Sequence, residues 1–383
     1  MPRMVNPSNT LPFSAAVAAV LLWATTVRAD SGFWANPGGG SLAAANNWDS
    51  GAGIGAGTDS TAYFGLSLEP ALTPNATFTL DGPYTIGNLY FTPQTGPGNL
   101  ALNSGSGGAL TLDATYTAPT ITVSLPNLRV SLNTVVAGTA GLTKDGAGTL
   151  VLTAANTYSG PTTVSAGTLL VNGQIGAGGV LVQGGTLGGS GTVNGTVTVQ
   201  QGGTFTPGPS ISALTLQSGS AMRVDVDAAT SSSDFLQGLA NVTYGGILTV
   251  NNLGGSPALG QSFHIFGAAA SSGNFAGIMP PPGPGLLWRF DPATGTLSVV
   301  SAASQPQIAK VALNGANLTL QAINGPPGVT GCILSSPDLS APLTSWTALA
   351  TNAFDVSGNL TATCAVDPET PRQFYLISAP VQR

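Results

Sequence analysis

Acid–base chemistry has little material in this chain of 383 residues. Glu occurs only at Glu69 and Glu369, and the sole histidine is His264. General acid–base catalysis needs paired carboxylates or a His with a partner. His264 sits in the apolar alternation Phe263-His264-Ile265-Phe266, which turns it outward from a strand, and no Ser-His-Asp or metal-ligand spacing surrounds it. The one acidic cluster is Asp225, Asp227 and Asp234. Strand alternation puts Asp225 and Asp227 on one face, where hard oxygen ligands suit Ca²⁺. The competing reading is a solvated strand end and turn, and the missing Gly-bearing calcium loop favours it. Cys332 and Cys364 are the only cysteines. In an exported protein they read as a disulfide or as two buried thiols, and spacing alone leaves both open. Trp34, Trp48, Trp288 and Trp346 are too dispersed for a glycan-stacking stripe in sequence, so core filling is expected for each.

The elements that would position these groups announce themselves by period. Gly-Thr-(Leu/Phe) stands at Gly167-Thr168-Leu169, Gly185-Thr186-Leu187 and Gly203-Thr204-Phe205, with Gly148-Thr149-Leu150 ahead of them. Alternating runs such as Val180-Leu181-Val182-Gln183, Val197-Thr198-Val199-Gln200 and Leu214-Thr215-Leu216-Gln217 share the rhythm. A fixed period of this length, with short β-type runs divided by Gly, reads as one solenoid coil per repeat. Stacked coils bury an apolar stripe that no single coil could bury alone.

Composition narrows the classes further. Only 6% of residues are charged, and none between Gly146 and Met222 is Asp, Glu, Lys, Arg or His. The 42% hydrophobic fraction and net charge of −6 oppose disorder. Nine scattered basic residues form no patch for phosphates, so nucleic acid is not an expected partner. Polysaccharide lyases and hydrolases built on β-helices place Asp, Lys, Arg or His on one face of their coils, and the most regular coils here carry none.

Along the chain, residues 1–29 read as a signal peptide: Arg3, an apolar run from Phe13, and Val27-Arg28-Ala29 as the cleavage pattern. Residues 30–300 are expected to form the β-solenoid, with irregular entry coils first and the clearest repeats over 140–227. Ser301 to Pro306 reads as a linker. Residues 307–383 offer strands and turns at a density that suggests a small antiparallel β-sandwich. No stretch of the mature chain is long enough for a membrane-spanning helix.

One stretch is specific. Leu142-Thr143-Lys144-Asp145-Gly146-Ala147-Gly148-Thr149-Leu150, then Asn156-Thr157-Tyr158-Ser159-Gly160, then Ala166-Gly167-Thr168-Leu169, closely resembles the autotransporter-associated β-strand repeat, also called the passenger-associated transport repeat. The resemblance implies a right-handed parallel β-helix in secreted or surface-displayed bacterial passengers, and it supplies no catalytic residues. Ser345-Trp346-Thr347, Phe354-Asp355 with Ser357-Gly358-Asn359, and Arg372-Gln373-Phe374-Tyr375 resemble the terminal β-domain of exported verrucomicrobial proteins. The chain ends at Arg383 without the alternating strands of a membrane barrel, so the barrel is not carried over.

These readings converge on an all-β, non-enzymatic, adhesin-like passenger, secreted or at the cell surface, whose partner is an unidentified surface glycan or envelope component. An extracellular polysaccharide-binding protein or a degenerate lyase-like β-helix is the alternative. No cofactor is expected beyond weak Ca²⁺ at the acidic cluster.

Overall fold

The computed structural model describes residues 31–49, 57–65, 72–93, 98–302, 306–325, 329–339, 341, 345–355, 357–366 and 373–378. The signal-peptide segment, Glu69, Glu369 and part of the expected linker lie outside them. The described chain is all-β, with one 3-10 turn at Ala45–Asn47.

The spacing of Gly-Thr-(Leu/Phe), 19 residues once and 18 twice, is one turn of a β-helix. Thr149 pairs with Thr168, Thr168 with Thr186, and Thr186 with Thr204, each time between parallel strands. Repetition of Gly-Thr-(Leu/Phe) therefore fixes register: it stacks Leu150, Leu169, Leu187 and Phe205 inside the coil, all fully buried. The opposite wall stacks Val164, Val182, Val199 and Leu216 in the same way. Two long sheets result, one of 14 strands and one of 12. Each strand contributes one wall of one coil, so the period-2 alternation sends apolar residues inward and Thr, Ser and Gln outward.

Glycine shapes the corners where coils touch. Gly146 (φ 77°) and Gly167 (φ 63°) hold left-handed conformations, and a Cβ on Gly167 would run into the carbonyls of Gly146 and Gly148 one coil away. Backbone conformation and coil spacing both demand glycine there.

The region expected as irregular entry coils builds the same two sheets. Tyr84–Phe91 and Thr120–Val123 lie in the first, Gly98–Ser104 and Leu128–Asn133 in the second, all parallel. Its coils vary in length, which erased the beat from the sequence but not from the fold. Beyond the regular repeats the two sheets continue only to Ser271–Gly273 and Gly277–Met279. Ser262–His264, Leu286–Asp291 and Thr296–Ser301 form a separate antiparallel sheet.

Aromatic rings concentrate at the two ends of the helix. At the start, Trp34 meets Trp48 edge to face at 5.0 Å, and Phe64 stacks on Phe91 at 4.8 Å. Trp34 and Trp48 are joined by an antiparallel bridge, and Asp49 N–H donates to the Phe33 carbonyl at 3.0 Å. This contact occupies the otherwise open edge of Gly32–Trp34, a site where strands of another chain would add. At the far end Tyr244, Phe266, Phe275 and Phe290 form a second ring cluster. Such rings bury large area per residue.

The last part of the chain has its own core. Gln307–Asn314, Asn317–Ile323 and Leu360–Ala365 make one antiparallel sheet; Thr347–Ala353, Thr330–Ser336 and Phe374–Ser378 make another. Leu318, Leu320, Ile333, Phe354, Leu360, Cys364 and Ile377 form a hydrophobic cluster separate from that of the helix.

Candidate functional site

Three polar residues of the repeat motif, Lys144, Asn156 and Tyr158, point inward. Leu142 and Lys144 share a parity on strand Leu142–Asp145, so alternation carries the lysine into the core beside Ile121 and Val164. Lys144 is 0% exposed. Its Nζ donates to the carbonyls of Asp145 (2.8 Å), Gly146 (2.7 Å) and Ala166 (3.0 Å). An ammonium has three donors, and all three are used. Ala166 belongs to the next coil, so the contact bonds neighbouring coils. Burial draws the Lys144 pKa down to about 8, with the charge of Asp145 pulling weakly the other way.

Asn156 does the same on another corner. Its Nδ2 donates to the carbonyls of Ala154 and Gln174, both at 3.0 Å, and its Oδ1 accepts from Val136 N–H at 2.9 Å. One buried side chain thereby ties three successive coils. Tyr158 hydrogen-bonds Thr162 at 2.8 Å, both buried, and burial pushes its pKa up to about 12. These residues hold coils together and present no group to a substrate. The sequence placed them in the repeat motif without showing what they do, although a lysine at an apolar parity was a legible signal.

The acidic cluster is closely engaged with its own backbone. Asp225 and Asp227 share the outward face of Ala221–Asp227, as alternation requires. Asp225 Oδ1 accepts from Asn251 Nδ2 at 2.8 Å and lies 3.7 Å from Arg223 Nε. Asp234 Oδ2 accepts from Asp225 N–H at 2.9 Å, and Asp227 Oδ1 from Ala229 N–H at 2.9 Å. Burial raises the Asp234 pKa. Among the described residues no three His, Cys, Asp or Glu side chains stand together as a metal set.

His264 is exposed, with Nδ1 3.3 Å from Thr296 Oγ1 and its ring 4.8 Å from that of Phe235. Neither neighbour is an acid or base. Cys332 and Cys364 are both free thiols. Cys364 is buried in the terminal core, and burial raises its pKa. Cys332 is only half-buried and has the opposite parity to Ile333, which faces that core. Trp34 and Trp48 fill the helix core, and Trp288 packs against it.

Register also assembles what spacing alone did not show: two columns along the outer face of the first sheet. In one, Thr120 pairs with Thr143, Thr143 with Thr163, Thr163 with Leu181, Leu181 with Thr198, and Thr198 with Thr215. In the other, Phe33 stacks on Tyr63 at 4.7 Å, and Tyr90 packs against Tyr63 in a tilted arrangement at 5.2 Å. That second column runs through Thr122 and Asp145 to Ser165, Gln183, Gln200 and Gln217. Asp145 is the only charged residue named in either.

Two comparisons bear on this architecture. Residues 142–171 match the family described as Passenger-associated-transport-repeat. The matched stretch is the one whose Lys144, Asn156 and Tyr158 bond coil to coil. Over 161 residues, 40% of this chain, the sequence is 37% identical to the adhesin BmaC autotransporter of Brucella suis biovar 1 (strain 1330). The chain spans 4% of that relative's length.

Proposed function

We propose that this chain is an exported, non-catalytic β-helical scaffold acting as an adhesin-like passenger at or beyond the cell surface. The observation that carries the reading is the use of the motif's polar residues. Lys144 and Asn156 spend every donor on backbone carbonyls of their own and neighbouring coils, which suits a stalk and leaves no reactive group on the regular repeats. Similarity to an autotransporter adhesin supports the same assignment. Hydrogen-bonded coils of this kind need neither salt nor metal to persist outside the cell.

Within this reading residues 1–29 direct export, the helix over 30–300 is right-handed, and the linker at 301–306 leads to a sandwich over 307–383 that serves as cap or attachment module. No helix among the described residues is long and apolar enough to cross a membrane. The test is treatment of intact producing cells with protease or a membrane-impermeant label. Modification of the mature chain on intact cells is the expected result; protection until the outer membrane is opened refutes surface display.

A further inference from the structure

The outer face of the first sheet is a regular surface that coil-to-coil bonding does not explain. Thr163, Thr198 and Thr215 stand in one column, and Gln183, Gln200 and Gln217 in the column beside it. Parallel strands set the step along each column at about 4.8 Å per coil. All six side chains reach solvent, and none has a hydrogen-bond partner within the described protein. Hydroxyls and amides each donate and accept, so the strip offers both functions at every coil.

Two observations together identify what fits such a face. Outward strand positions of soluble proteins ordinarily carry many charges, yet no charged residue occurs from Gly146 to Met222. A polyanion or a basic partner therefore finds nothing to pair with. Secondly, the pairing register holds along both columns, so the unpaired groups recur at multiples of one pitch along the helix axis, with Leu181 interrupting the Thr column once. That matches an extended polymer whose own hydroxyls repeat along its length. We propose that this face binds an uncharged, extended polysaccharide laid parallel to the helix axis, its hydroxyls meeting the Thr and Gln columns. Phe33, Tyr63 and Tyr90 prolong the second column, but their faces cover one another. They would meet a sugar with ring edges and tyrosine hydroxyls rather than by stacking.

The proposal names the partner class of the adhesin-like reading and rests on it for its biological setting. Binding by the purified full chain is independent of where the cell places it, so the two fail separately. Affinity electrophoresis through xyloglucan, mixed-linkage β-glucan and galactomannan, with polygalacturonate as the anionic control, is the measurement. Retardation by at least one neutral polymer, insensitive to salt, is expected, because uncharged contacts are not screened. The triple variant Thr163→Val/Thr198→Val/Thr215→Val should weaken it about tenfold or more, given the usual worth of several hydrogen bonds. The matched triple Thr168→Val/Thr186→Val/Thr204→Val on the second sheet should not change it, and circular dichroism melts would verify that both variants fold. Absence of retardation by every neutral polymer overturns the proposal, as does equal loss in both triples. Binding confined to polygalacturonate and abolished by salt also overturns it. So does concentration-dependent self-association that only the first-sheet triple removes, which would make a second copy the occupant.

Discussion

Lys144 Nζ lies 3.0 Å from the carbonyl oxygen of Ala166, so an ammonium inside the helix bonds one coil to the next. Its other two protons go to Asp145 and Gly146 on its own coil. A buried charge is costly unless it is fully paired, and here three carbonyl dipoles satisfy it.

Replacing Lys144 by Met keeps volume and removes all three donors. The three carbonyls would lose this donor, and the expected cost is about 1–3 kcal/mol. Asn156→Ala should cost a similar amount, since it orphans Val136 N–H and releases the carbonyls of Ala154 and Gln174. Thr143→Ser, on the outward neighbour of Lys144, should stay within about 0.5 kcal/mol. Urea denaturation of the three variants measures all of this; a neutral Lys144→Met would show that the ammonium is not a staple.

The same lysine gives stability a pH signature. Its folded pKa of about 8 lies below the unfolded value of about 10.4. Below pH 8 both states hold the proton and the contribution is constant. Between about 8 and 10.4 the unfolded chain binds more protons, so stability from this group rises with pH. Tyr158 and Tyr244 act in the opposite sense. Burial pushes both up to about 12, so their contribution is lost as pH climbs above the unfolded value of about 10. Thermal midpoints of wild type and Lys144→Met from pH 7 to 10 separate the terms: the variant should lack the rise above pH 8.

For the cysteines, the free-thiol arrangement predicts two labels on unreduced, denatured protein by intact mass. In the native protein Cys332 should react first, because Cys364 is buried and its thiol pKa is raised. A mass unchanged by labelling until reductant is added would establish the disulfide instead.

The calcium reading of Asp225, Asp227 and Asp234 has a direct readout. Each carboxylate already accepts from an amide, which weakens its availability as a ligand. Thermal melts of chelated protein with and without added Ca²⁺ should coincide. An upward shift that Asp234→Asn removes would restore the site.

What the amino-acid sequence determined by itself was the repeat unit and its consequences. A Gly-Thr-(Leu/Phe) spacing of 19 residues once and 18 twice puts Leu150, Leu169, Leu187 and Phe205 into one interior column, because a shift of one residue in strand register would turn each of them out to water. The scarcity of Glu and His likewise leaves little material for acid–base chemistry. Other features required tertiary structure, since they depend on which residues face each other across coils. Coils of unequal length hide their register, so the strands before Asn133 looked irregular while building the same sheets. Tyr63 and Tyr90 are far apart in sequence, and only strand pairing brings their rings into contact. Lys144 stood in the sequence only as a member of the repeat motif; its parity with Leu142 places it in the core, where the carbonyls of two coils converge to hold it. Alternation assigns a side chain to a face; the closing of the coil decides which partners wait there.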